Sequence, residues 1–123
     1  MSSRNNNSIV KTSSNSDGIL RITLNNPKNH NALSEEMMLN IQLALDESAA
    51  DKKIRVIIIS AEGPTFSAGH DLKELKAGRK NSDKGKGYFK EVMLKCSKLM
   101  QSIVKNPKPV ISEVAGVATA AGC

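Results

Sequence analysis

The sequence predicts an α/β fold in which strands alternate with helices around a largely parallel sheet. Apolar runs of strand length begin near residues 19, 54 and 110. Between them lie two segments with apolar residues at helical spacing, 35–51 and 89–104. Short segments rich in Gly, Asn or Pro separate these elements. A strand, helix, strand, helix, strand order is typical of parallel strands joined by right-handed crossovers.

The first predicted strand covers residues 19–24, which are mostly apolar or β-branched and are bounded by turn-forming residues. Ser34 is then a suitable N-cap for a helix, because its hydroxyl accepts a free N–H of the first turn. Glu35 and Glu36 favour the positive end of the helix dipole. Apolar side chains recur at helical spacing from there, which predicts an amphipathic helix over 35–51.

The second predicted strand, residues 54–60, is almost continuously apolar, as is typical of a strand buried on both faces. It leads into residues 63–71, whose glycines permit tight turns. Asp71 then caps a short helix that covers Leu72 and Leu75.

The rest of the chain continues the same alternation. Residues 78–87 are polar, charged and contain glycine, so they predict a surface loop. The helix over 89–104 places Cys96 on its apolar stripe, which makes this cysteine a core residue. Prolines within 107–109 end that helix and restart the chain in extended form, as a strand over 110–114.

The two ends of the chain carry separate expectations. Residues 1–17 are rich in Ser and Asn and predict a disordered or organelle-targeting N-terminus, so the domain itself is expected to cover 18–123. The strand over 110–114 is followed by no helix that would cover its apolar face before Cys123. Because such a face and edge need a cover, we expect this chain to be part of a larger domain.

Composition narrows the classes of partner. A net charge of +6 suits an anionic ligand, although a solvated lysine surface is the simpler explanation. Aromatic residues make up only 2% of the chain, so basic residues lack stacking partners and nucleic-acid binding is not expected. No apolar stretch is long enough to span a bilayer. Cys96 and Cys123 have no metal-ligand spacing, which favours a reducing compartment and predicts no metal site.

Two segments that follow strands carry the functional prediction. Residues 66–74 read Phe-Ser-Ala-Gly-His-Asp-Leu-Lys-Glu, and residues 115–123 read Ala-Gly-Val-Ala-Thr-Ala-Ala-Gly-Cys. Their small side chains let the backbone approach a ligand closely. Two such turns, each at the start of a helix, can aim two backbone N–H groups at one oxygen.

Two further motifs, in residues 22–33 and 108–111, occur in order with these segments. With this ordered set, the chain resembles the N-terminal half of a crotonase-fold protein of the enoyl-CoA hydratase/isomerase family. The resemblance implies a crotonase-like (ClpP/crotonase) ββα spiral, here truncated. It also implies a homo-oligomeric parent protein, a trimer or hexamer, and a mitochondrial location, with a cytoplasmic one as the alternative.

The same resemblance implies an acyl-CoA thioester as ligand, with coenzyme A as part of the substrate and no other cofactor. Its carbonyl oxygen would be held in an oxyanion hole by the backbone N–H groups of His70 and Ala121. Loss of one such preorganised donor typically costs about 2.7–4 kcal/mol of transition-state stabilisation. The residues that the resemblance assigns to substrate or CoA binding are Lys28, Ala68, Gly69, Asp71, Leu72, Lys73 and Gly122.

The side chains of His70 and Asp71 are expected to have structural rather than catalytic roles. We expect the imidazole of His70 to fill space or face the ligand, and Asp71 to cap a helix. The glycine-rich triplet usual in the family is replaced by Ala120-Ala121-Gly122, and an alanine keeps its N–H donor if its φ is ordinary.

The family's catalytic acids are expected elsewhere. The resemblance places one catalytic glutamate directly after the Gly-Cys of the second motif and another downstream, both beyond Cys123. Glu113 lies off the motif and is no substitute, so the chain alone is not expected to catalyse hydration by the family's usual route. Three hypotheses follow: part of an enoyl-CoA hydratase/isomerase-like enzyme of fatty-acid metabolism, a catalytically silent CoA-binding or regulatory protein, and an interaction fragment that joins crotonase oligomers.

Overall fold

The computed structural model describes residues 8–80, 83 and 85–123. Three helices of the described residues are α1 (Glu35–Ala50), α2 (Leu72–Gly78) and α3 (Lys86–Lys105), and two 3-10 turns cover Pro27–Asn29 and Ala120–Gly122. The strands are β1 (Val10–Ser14), β2 (Ile19–Leu24), β3 (Val56–Ala61), β4 (Thr65–Ser67), β5 (Val110–Ser112) and β6 (Val117–Ala118).

The main sheet confirms the predicted α/β class. Its strand order is β1-β2-β3-β5, and β2, β3 and β5 run parallel to one another. The connection from β2 to β3 passes through α1, and the connection from β3 to β5 passes through α2 and α3. A second sheet pairs β4 with β6, again in parallel.

The core lies between the main sheet and the helices α1 and α3. Cys96 is buried in it, as its place on the apolar stripe predicts. Aliphatic and methionine side chains fill most of this space, and burying one such side chain contributes about 1.5–3 kcal/mol to stability. The completely or almost completely buried members are Val10, Ile22, Met37, Leu45, Ile57 and Leu99.

The N-terminal boundary of the domain is corrected by the structure. Residues 10–14, predicted to lie in a disordered or targeting segment over 1–17, form β1 and pair antiparallel with β2 from Val10 opposite Leu24 onwards. Val10 is completely buried. The strand is polar apart from Val10, so the sequence signal was weak, and it forms because β2 offers an edge. Residues 1–7 lie outside the described part of the chain, and a targeting role for them stays a prediction.

The later elements match the predicted order, with shorter strands. The loop predicted over 78–87 is present but shorter, since α2 includes Gly78 and α3 begins at Lys86. Residues 81, 82 and 84 lie outside the described set. The last long strand covers Val110–Ser112 rather than 110–114. No sequence pattern predicts β4 and β6, which are only three and two residues long.

The apolar stripe of α3 is buried on one side only. Val92 and Leu99 are buried, whereas Met93 and Val104 are 45% and 84% exposed. Among the described residues, no helix combines the length and the apolar character that crossing a membrane requires.

Both ends of α1 are capped. At its start, the Ser34 hydroxyl accepts the N–H of Met37 at 3.0 Å, as predicted. At its end, the Lys108 ammonium donates to the carbonyl oxygens of Ser48 and Asp51. A cation there also complements the negative end of the helix dipole. Lys108, two residues before β5, therefore joins the far end of α1 to the sheet.

We expect Lys108→Met to lower the free energy of unfolding by about 1–2 kcal/mol, because two carbonyl groups lose a charged donor. Urea denaturation at pH 7 measures this change. Lys90→Met is the matched control, since Lys90 is exposed on α3. An equal loss in both variants would contradict the capping role.

Candidate functional site

The two predicted functional turns lie side by side. β4 leads into the first turn and β6 into the second, and the two strands pair in parallel with Ser67 opposite Ala118. Parallel strands end at the same edge of a sheet, so the segments 68–70 and 119–121 emerge together. A pairing of five residues in total thus joins parts of the chain that are about fifty residues apart.

Two glycines permit the close approach of these turns. A Cβ added at Gly69 would lie 3.0 Å from the Cβ of Ala120 and 3.1 Å from the backbone nitrogen of Ala121. Gly69 also has a φ of +88°, in the left-handed region that favours glycine. A Cβ added at Gly122 would lie 2.2 Å from the carbonyl oxygen of Ser67. At neither position is there room for a side chain.

The backbone N–H of His70 has a fixed direction. The carbonyl oxygen of Gly69 accepts the N–H of Leu33 at 2.6 Å. In a planar trans peptide the C=O and the following N–H point in opposite directions, so the His70 N–H points away from Leu33. Within the described part of the chain, this N–H donates to no backbone oxygen.

The N–H of Ala121 is held in the same way. The carbonyl oxygen of Ala120 accepts the N–H of Cys123 at 3.2 Å, so the Ala121 N–H of that peptide points to the other side. Ala121 is the second residue of a 3-10 turn, where N–H groups have no acceptor inside the turn. The positive φ of +49° falls on Ala120, and Ala121 is not among the described residues with positive φ.

Asn31 supports the first turn, and sequence reasoning missed this role. Its side chain is completely buried and donates to the carbonyl oxygens of Glu62 at 2.9 Å and Thr65 at 2.8 Å. Its Oδ1 accepts the N–H of Asn26 at 2.7 Å. The available sequence signal was a polar residue placed directly before the segment Ala-Leu-Ser and a helix. An asparagine that is buried there needs hydrogen-bond partners, and nearby backbone groups supply them.

Ala68 and Asp71 both form hydrogen bonds with backbone groups. The N–H of Ala68 donates to the carbonyl oxygen of His30 at 3.1 Å. The carboxylate of Asp71 accepts the N–H of Lys73 at 2.9 Å and of Glu74 at 3.3 Å, which confirms the predicted cap of α2. Its other oxygen accepts from Asn29 at 3.0 Å. This carboxylate is therefore engaged in capping.

The imidazole of His70 does not pair with Asp71. Its Nδ1 is the buried side-chain nitrogen that lacks a hydrogen-bond partner among the described residues. An unpaired buried nitrogen costs about 1–3 kcal/mol relative to a paired one. The part of this residue with a fixed direction at the site is thus its backbone N–H.

Lys28, Lys73 and Leu72 lie at the outer edge of the site. The Asn29–Asp71 hydrogen bond brings the turn that contains Lys28 next to the start of α2, which contains Lys73. Both lysines are exposed, and Leu72 is 76% exposed. All three are accessible to a ligand, and their assignment to CoA binding stays a prediction.

A mainly apolar cavity of about 400 Å³ opens between α2 and α3, beginning two residues after His70. Its volume falls within the range of small-molecule pockets. Two cationic side chains contribute to its walls. The lining residues are Leu72, Leu75, Lys76, Arg79, Phe89 and Met93.

Carboxylates connect α2 to the start of α1. Glu74 accepts the N–H of Glu35 at 3.1 Å. Burial raises the pKa of Glu74, and the charges of Asp71 and Glu35 add to this, although the Glu35 N–H opposes it. The Lys95 ammonium, 2.7 Å from the Glu35 carboxylate, lowers the pKa of Glu35.

Comparison with known proteins identifies relatives of this chain. The family described as Enoyl-CoA hydratase/isomerase matches residues 14–123. The human mitochondrial enoyl-CoA hydratase domain-containing protein 3 is 50% identical over 107 residues, which cover 87% of this chain and 34% of the human one. The Xenopus laevis protein of the same name is 53% identical over 106 residues, covering 86% of this chain and 34% of its own. These names support the predicted mitochondrial location.

Solved structures agree in fold. The crystal structure of the human protein has a TM-score of 0.83 and 46% identity, covering 94% of this chain and 43% of that one. The crystal structure of an enoyl-CoA hydratase from Mycobacterium smegmatis has a TM-score of 0.86 and 37% identity, again covering 94% of this chain and 43% of that one. The chain spans about a third of the length of the curated relatives, 34% in both proteins. It belongs to the enoyl-CoA hydratase/isomerase family and has the crotonase fold.

Proposed function

We propose that the chain binds an acyl-CoA thioester and polarises its carbonyl group with the backbone N–H groups of His70 and Ala121. One observation carries this proposal: the two turns meet at Gly69, and the carbonyl group in each donor peptide already accepts a hydrogen bond on the opposite side of the peptide plane. Donors fixed before the ligand arrives need no reorganisation when negative charge develops on the oxygen.

The chemistry of such a site suits the family. Two N–H groups stabilise the enolate-like oxygen of the thioester. This oxygen forms when the carbon beside the thioester carbonyl loses a proton, or when water adds to the next carbon along the acyl chain. We propose that the whole protein is an enoyl-CoA hydratase/isomerase-like enzyme of fatty-acid metabolism. Glu113 does not supply the proton transfer, since its carboxylate is exposed and pairs with Arg21 at 2.7 Å.

Neighbouring features suggest where the rest of the ligand lies. The cavity between α2 and α3 offers an apolar wall for an acyl chain. Lys28 and Lys73 are suited to the CoA phosphates, because charge-assisted contacts to phosphate are strong. Coenzyme A would then be part of the substrate, with no separate cofactor.

A second candidate function is association with another crotonase domain, either in a homo-oligomer or as an interaction fragment that joins crotonase oligomers. β5 is the edge strand of the main sheet. Ile111, Val114 and Val117 in this region are 52%, 51% and 57% exposed. An exposed edge with apolar side chains is a surface that another chain can cover.

Gly69→Ala is expected to weaken binding of butyryl-CoA at least tenfold. The added methyl group meets Ala120 and the Ala121 nitrogen and forces the two donors apart. Isothermal titration calorimetry with butyryl-CoA, and with free CoA for comparison, measures the change. Gly87→Ala is the control, since a Cβ there meets only the end of the Asp83 side chain at 3.0 Å. A wild-type chain that binds no butyryl-CoA would disprove the proposed function.

His70→Leu is expected to bind butyryl-CoA within about threefold of the wild-type chain, because the donor is a backbone group. We also expect it to melt at the same or a higher temperature, since the variant removes a buried unpaired nitrogen. Circular dichroism and calorimetry test both points. Loss of binding with an intact fold would show that the imidazole contacts the ligand.

Val114→Glu is expected to shift the chain towards monomer in sedimentation velocity runs across a concentration series. A charge on the exposed edge region opposes its burial against a second chain. Val104→Glu is the control, because Val104 is 84% exposed on α3. A wild-type chain that is monomeric at all concentrations would remove the support for self-association.

A further inference from the structure

We infer that Ser67 is the positioning residue that holds both oxyanion donors in register. This inference rests on the proposed function. Ser67 is the last residue of β4 and is 1% exposed. Because this side chain is buried, its effect would pass through the two turns that it contacts.

The hydroxyl of Ser67 fixes the first turn. It donates to the carbonyl oxygen of Asn31 at 2.9 Å and accepts the N–H of Gly69 at 3.2 Å. Leu33 holds the carbonyl of the same glycine. Both peptide groups of Gly69 are therefore fixed, and with them the direction of the His70 N–H.

The backbone of Ser67 fixes the second turn. Its carbonyl oxygen accepts the N–H of Thr119 at 3.1 Å. Gly122 packs against the same carbonyl so closely that an added Cβ would lie 2.2 Å from the oxygen. Thr119 and Gly122 flank Ala121, the second donor. One residue thus contacts the turns that carry both N–H groups.

Removal of the hydroxyl has a specific consequence. In Ser67→Ala, the buried N–H of Gly69 and the carbonyl of Asn31 lose their shared partner. The peptide between Ala68 and Gly69 then keeps only the long bond, 3.4 Å, that the Thr119 hydroxyl donates to the Ala68 carbonyl oxygen. The β4–β6 pairing uses only backbone groups and is kept. The variant should therefore disturb the alignment of the His70 N–H more than the fold.

A threonine is the conservative replacement. It keeps the hydroxyl and adds one methyl group. Ser67 lines a cavity of about 80 Å³ together with Phe66, Ala121 and Gly122. This volume is enough for a methyl group, so Ser67→Thr is expected to restore what Ser67→Ala loses.

The test uses the 123-residue chain and butyryl-CoA labelled with carbon-13 at the thioester carbonyl. Infrared difference spectra report the downward shift of the carbonyl stretch on binding, which measures how strongly the donors polarise this group. We expect Ser67→Ala to lose at least half of the shift and to bind about tenfold more weakly, and Ser67→Thr to regain both. Ser60→Ala is the matched control: Ser60 is a buried serine on β3 whose hydroxyl bonds the Thr23 hydroxyl at 3.1 Å.

The outcomes separate the two proposals. No carbonyl shift in the wild-type chain overturns the proposed function, and this inference with it. A wild-type shift that persists unchanged in Ser67→Ala overturns the inference alone. Equal losses of shift in Ser67→Ala and Ser60→Ala would also overturn it, because they would indicate general loosening. If Ser67→Ala fails to fold, Ser67→Cys supplies the comparison: its thiol is slightly larger and makes weaker hydrogen bonds, and an unchanged shift there overturns the inference.

Discussion

The buried side-chain amide of Asn31 satisfies three backbone groups on two separate segments of the chain. It donates to Glu62 and Thr65 and accepts from Asn26, all at 2.9 Å or less. Buried backbone groups without partners each cost about 1–3 kcal/mol, so the completely buried Asn31 amide stabilises the loops that it joins. Its own carbonyl then accepts the Ser67 hydroxyl, which holds the first donor turn.

The two peptides that we propose as donors show how a site can be prepared without any special side chain. Each N–H is directed because the carbonyl on the other side of its peptide plane is already bonded, to Leu33 in one case and to Cys123 in the other. The backbone conformations this requires are unusual, with positive φ at Gly69 and Ala120. Such conformations persist only where surrounding contacts hold them, which is the role of β4, β6 and the Asn31–Ser67 pair.

Much of the fold was predictable because its signals are local. The structure confirms several features that depend only on residues close together in the sequence. They are the Ser34 and Asp71 caps, the apolar period of α1 and α3, and the apolar run of β3. β1 was missed because its sequence is polar apart from Val10 and a neighbouring strand stabilises it. β4 and β6 were missed because segments of two or three residues carry no readable period.

By itself, the sequence determined the α/β class, the order of the main elements, the family and the two motifs that bear the proposed donors. The tertiary structure decided which backbone groups meet. The bonds that matter most join distant positions: Asn31 to Thr65 across 34 residues, and Ser67 to Asn31 across 36. It also decided that Asp71 is occupied in capping and that Nδ1 of His70 is buried without a partner among the described residues. Local sequence patterns report propensity and capping, whereas partners brought together by chain closure appear only once the strands have paired.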